Sequence, residues 1–199
     1  MNARWWRAGV ALALTLPGAT PAAAHLMNSG FGPFYDGLAH PLLSPEDLLP
    51  AIAIALLAGL RGARAGRLAL ATLPLAWLAG MVAGWTMGLP PLPPRFNAML
   101  TVAVGALVAS DQRLPLAAVT ALTAALGALH GYANGYDLAG ASGALLGMLG
   151  IASSLFAVVS LLAGQAAVVQ AEWARLAVRI SGSWIAAIGM LMFGWSFRT

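Results

Sequence analysis

Six long apolar stretches, at roughly 45–60, 68–88, 96–110, 115–134, 141–169 and 176–197, follow one another with only short polar breaks between them. A helix needs about 20 apolar residues to cross a hydrocarbon core about 30 Å thick. The stretches fit that length, the first and third being short and the fifth long enough to tilt. Backbone groups cannot stay unpaired in lipid, and the alternation that would mark strands is absent. Composition agrees, with 60% of the 199 residues apolar and 8% charged, against about 25% charged in a soluble domain. This argues against a soluble enzyme, a disordered tail or a nucleic-acid binder. The ten arginines, with no lysine, are scattered and form no patch for polyanions. The absence of cysteine excludes disulfides, thiolate metal sites and cysteine nucleophiles. The expected fold is all-α: a polytopic membrane helix bundle of about six transmembrane helices after a cleaved signal peptide.

Residues 1–24 read as that signal peptide. Arg4 and Arg7 precede a short apolar run, Ala8 to Leu16, and Pro17-Gly18 breaks it before the small residues Ala22-Ala23-Ala24. A first membrane anchor is the alternative, but the run is too short to span. Cleavage after Ala24 leaves residues 25–199 as a single transmembrane domain. His25 would then carry an imidazole and a free α-amine together, a bidentate metal chelator, or be merely the first residue after the cut.

Arginine placement sets the expected orientation. Arg61, Arg64, Arg67, Arg113, Arg175 and Arg179 fall on one side of the spans, and only Arg95 and Arg198 on the other. The first set is expected in the cytoplasm, with the mature N-terminus in the periplasm of a bacterial inner membrane. The loop 88–94, rich in proline, is expected to be a stiff outer spacer. Gly80/Gly84, Gly143/Gly147 and Ala121/Ala125 are small residues at the spacing that lets helices approach closely.

Polar groups inside such a chain are costly and need a reason. All three histidines and four of the six acids gather on the outer side, in two places. Before the first span, Phe31, Phe34, Tyr35 and Leu38 suggest a short amphipathic or re-entrant segment near 30–43, followed by His40. Ser44-Pro45-Glu46-Asp47 reads as a helix start, with Ser at the cap, Pro at N1 and acids behind them. Glu46 and Asp47 thus either stabilise the helix terminus or serve as ligands; the two roles are compatible. In the second place His130, Asn134 and Asp137 share one helical face. Imidazole with oxygen ligands suits a divalent transition metal such as Ni²⁺, Co²⁺, Zn²⁺ or Cu²⁺. The alternative is that His130 bonds a neighbouring helix and that Asn134-Gly135 ends the span.

These features in this order resemble the HupE/UreJ family of bacterial membrane proteins associated with nickel hydrogenase and urease systems. The carrying residues are Ala24-His25, Gly30-Phe31, His40-Pro-Leu-Leu-Ser44-Pro-Glu46-Asp47 and His130-Gly-Tyr-Ala-Asn134-Gly135. The family pattern has Gly at Ser44, Asp at Glu46, and His at Asp47 and Asn134. The resemblance implies a nickel or cobalt permease or delivery protein, with His25, His40, Glu46, Asp47, His130 and Asn134 handling the ion; Asp137 joins this candidate metal set by its place on the face of His130 and Asn134. It also implies a metalloenzyme maturation system as context. Catalysis is not expected.

Two other readings stand beside it. A noncatalytic scaffold or accessory subunit would use Trp77, Trp85, Trp184 and Trp195 at subunit or lipid interfaces, though aromatic belts explain them without partners. An intramembrane serine hydrolase would use Ser142, in Gly140-Ala-Ser-Gly143, with His130 as base. No histidine follows His130, whereas the rhomboid proteases place theirs after the serine.

Overall fold

The computed structural model describes residues 29–198. Within them are seven helices and no strand: α1 (Pro33–Leu43), α2 (Pro45–Leu60), α3 (Ala63–Met87), α4 (Pro94–Ser110), α5 (Leu116–Asp137), α6 (Ala144–Val168) and α7 (Glu172–Trp195). The proposed signal peptide and His25 lie outside the described residues.

Each of the six apolar stretches is a helix, but six full spans are not what the helix lengths support. Four helices, α3, α5, α6 and α7, are long and apolar enough to cross a membrane, and a fifth span arises if α1 and α2 count as one broken pair. The remaining stretch, α4, is an apolar helix of 17 residues. The break between α1 and α2 bends the chain by 72°. Its cause is local: Ser44 precedes a proline and is driven to extended backbone, at ψ 100°. Ser44 occupies the expected cap position but makes no side-chain capping bond, so its hydroxyl is not what starts α2; Pro45 at N1 is.

A helix that is apolar all round belongs inside, and α2 is the case here. Ala51, Ala53, Ile54, Ala55, Leu57 and Ala58 are essentially inaccessible. Around it the other helices pair through glycine. A methyl group at Gly80 or Gly84 of α3 would collide with the backbone of Ala128 or Tyr132 in α5. In return, Gly131 and Gly135 of α5 admit the carbonyls of Trp77 and Met81. Gly37 of α1 lies on Gly147 of α6, and Gly182 of α7 on Gly105 of α4. The expected Gly80/Gly84 and Gly143/Gly147 pairs are therefore contact surfaces, Gly143 resting on Pro33. Ala121 and Ala125 are not, for both are exposed.

Candidate functional site

The two polar clusters meet. α1 brings His40, α2 brings Asp47 in its first turn, and α5 brings His130 and Asn134 from one face. Asp47 is at the centre, its side chain only 3% exposed. One carboxylate oxygen, Oδ1, is 3.1 Å from His130 Nδ1. The other, Oδ2, is 3.3 Å from His40 Nε2 and accepts a 3.0 Å bond from Asn134 Nδ2. Asp47 is thus no mere partner for the helix terminus. Of the alternative for the second cluster, one half holds, since His130 bonds Asp47 of the neighbouring α2, and the other does not, since α5 continues past Asn134-Gly135 to Asp137. A buried carboxylate is sustained only when paired and hydrogen-bonded, and here three side chains from two other helices do it.

Behind this carboxylate lies a residue that sequence reasoning placed elsewhere. Trp77 was expected at a subunit or lipid interface; it is instead fully buried. Its Nε1 donates a 2.7 Å bond to Asn134 Oδ1, and its ring lies 5.3 Å from that of His130, tilted by 33°. Trp85, Trp184 and Trp195 are exposed. The signal for Trp77 was present only as spacing, since it lies three residues before Gly80, the first glycine of the close α3–α5 contact.

The site opens on a cavity of about 860 Å³. His40, Glu46, Asp47, Asn134 and Asp137 are among its polar lining residues, and Leu92, Pro93, Leu191 and Trp195 among its apolar ones. The loop 88–94, expected as a spacer only, is therefore part of the cavity. Glu46 and Asp137 are exposed and line this space. His130 is set deeper, 1% exposed, and its Nε2 has no hydrogen-bond partner among the described residues. Among those residues no group of three or more His, Cys, Asp or Glu side chains is arranged to hold a metal ion. Ser142 is exposed and makes no hydrogen bond with His130, so the serine-hydrolase dyad is not assembled.

A second carboxylate lies at the other end of α2, on the neighbouring α4. Asp111 ends α4 in the left-handed region, at φ 49°, a conformation that Asp adopts more readily than most residues. Arg61, just past α2, bonds its Oδ1, and Arg175 of α7 bonds Oδ2 through Nη2 at 2.7 Å and Nε at 3.0 Å. Burial pushes the Asp111 carboxyl up, but the Arg175 and Arg61 guanidiniums more than offset this and hold it below the usual carboxylate range.

Compared with known proteins, the chain matches a family model described as HupE / UreJ protein over residues 12–192. No curated protein and no solved structure matches it.

Proposed function

The chain belongs to the HupE/UreJ family, and from that premise we propose that it transports or hands on a divalent transition metal ion, nickel or cobalt before zinc or copper, at the bacterial inner membrane. The observation that carries this reading is the buried Asp47 carboxylate held between two imidazoles at the wall of a cavity. His40 Nε2 and Asp47 Oδ2 are 3.3 Å apart. Two donors each about 2.1 Å from one ion stand roughly 3.0–3.4 Å apart in octahedral or tetrahedral geometry. An ion arriving from the cavity can therefore replace the hydrogen bond between them with little movement of either helix.

His130 holds the other oxygen of the same carboxylate and keeps it aimed, the role that outer partners play at metal sites. Glu46 and Asp137 raise the local concentration of cations at the mouth. His25, once cleavage after Ala24 has made it the first residue, supplies an amine and an imidazole for first capture. Two protein donors, with water completing the sphere, leave open positions, unlike the closed four-ligand sites that hold structural ions. An open site suits cargo that must leave. In this reading the cavity faces the periplasm and the arginine-rich end the cytoplasm, with a metalloenzyme maturation system as recipient.

The test is nickel and cobalt content of cells, and of the purified protein, for the parent and His40→Ala at matched membrane levels. Transport predicts that accumulation drops to that of cells lacking the protein. Delivery without transport predicts that only the metal bound to the purified protein is lost. If neither quantity changes, the reading fails.

A further inference from the structure

We propose that Trp77 is a positioning residue that biases the site toward nitrogen-preferring metals by holding the oxygen of Asn134 away from the ion. The inference rests on the metal-handling reading above. An indole N–H only donates, so its partner must be the oxygen of the amide, not the nitrogen. The 2.7 Å bond from Trp77 Nε1 to Asn134 Oδ1 therefore decides which way the amide faces. Its NH₂ group is left pointing at Asp47 Oδ2, 3.0 Å away, and at His40 Nε2, 3.5 Å away.

The indole itself is held firmly. Trp77 is fully buried, its ring lies against the His130 imidazole, and its backbone carbonyl is seated on Gly131. Asn134 lines the cavity, but Trp77 does not. The amide is thus set from behind, by a residue the cargo never touches.

The chemical consequence is selectivity. An amide oxygen is a hard ligand that suits Mg²⁺, Ca²⁺ and Mn²⁺, whereas imidazole suits Ni²⁺, Cu²⁺ and Zn²⁺. With that oxygen occupied by the indole, an ion between His40 and Asp47 meets one nitrogen and one carboxylate. Loss of the indole N–H frees the amide to turn and to add a second oxygen.

The experiment compares Ni²⁺ and Mn²⁺ dissociation constants for the purified full chain in lipid nanodiscs. The proteins are the parent, Trp77→Phe, Asn134→Leu and the double variant; Phe keeps an aromatic ring beside His130. Trp77→Phe is expected to move the Ni²⁺-to-Mn²⁺ affinity ratio about tenfold toward Mn²⁺, the scale typical of outer partners at metal sites. The double variant should show the ratio of Asn134→Leu alone, since no amide remains to turn. Equal weakening of both ions by Trp77→Phe, or a shift that persists in the double variant, would overturn the proposal. A second measurement needs only Asn134→Leu: the indole N–H of Trp77 should shift in the NMR spectrum and lose protection from exchange. An unchanged signal would overturn it as well. A parent protein that binds neither ion would bring down the metal reading, and this assignment with it.

Discussion

The two ends of α2 hold the same chemical group in opposite ways. Asp47 and Arg61 are 14 positions apart, about 20 Å along a helix. At the first end a carboxylate faces imidazoles and an amide, groups whose protons and lone pairs can be exchanged for a cation. At the second, Asp111 faces two guanidiniums, which stay charged at any working pH and offer no lone pair. The first arrangement lines a large cavity, while the second ties α2, α4 and α7 together. On the proposed reading, a carboxylate in a membrane bundle is told apart by its partners: replaceable ones suit a place of exchange, permanent ones a fastening.

The sharpest way to break this contrast is Asp47→Asn. It keeps the shape of the site but removes the charge of a direct donor, and Ni²⁺ affinity of the purified protein should fall by more than the roughly 10- to 100-fold typical of outer partners at metal sites. Affinity equal to the parent's would show that the imidazoles alone suffice. Asp111→Asn should act on stability instead, lowering the apparent Tm by about 2–4 °C and leaving Ni²⁺ affinity as it was. Its acid dependence carries a defined sign. The folded carboxyl is depressed, so its contribution is complete above the unfolded value, about pH 4, and is lost as the pH falls through the folded value. Thermal scans between neutral pH and pH 3 should show that loss in the parent and less of it in Asp111→Asn. Smallest of all, Glu46→Gln and Asp137→Asn should each weaken Ni²⁺ binding about twofold in dilute buffer and not measurably at 1 M salt, where the Debye length is about 3 Å. A salt-independent loss would instead make them direct ligands.

Much of this was legible in the residues, and the part that was not has a common cause. Apolar run length located six of the seven described helices, because lipid imposes a local rule on the backbone. The rarity of charge made His40, Asp47, His130 and Asn134 conspicuous before any contact was known. Spacing along one helix placed His130 and Asn134 on one face, yet could not say that Asp47 of α2 lies opposite them. Trp77 was missed because an indole among apolar neighbours carries no local mark of its single hydrogen bond. The amide orientation of Asn134 was missed for the same reason, since the residue that decides it is 57 positions away. Ser44 had every local feature of a helix cap and still makes no capping bond; the proline after it is sufficient. The spans number four or five and not six because α2 reaches spanning length only together with α1, across a bend, and α4, though apolar, has only 17 residues.

The seat of the Trp77 carbonyl on Gly131 has a consequence for how accurately the site is built. Side chains can repack, but two main chains in direct contact leave almost no slack. The distance between the indole and the imidazole of His130, one position away, is therefore inherited from the spacing of the two helices themselves. Alterations on the lipid-facing side of α3 or α5 leave that alignment intact, whereas a single added methyl at Gly131 would throw it out of true without touching any polar atom.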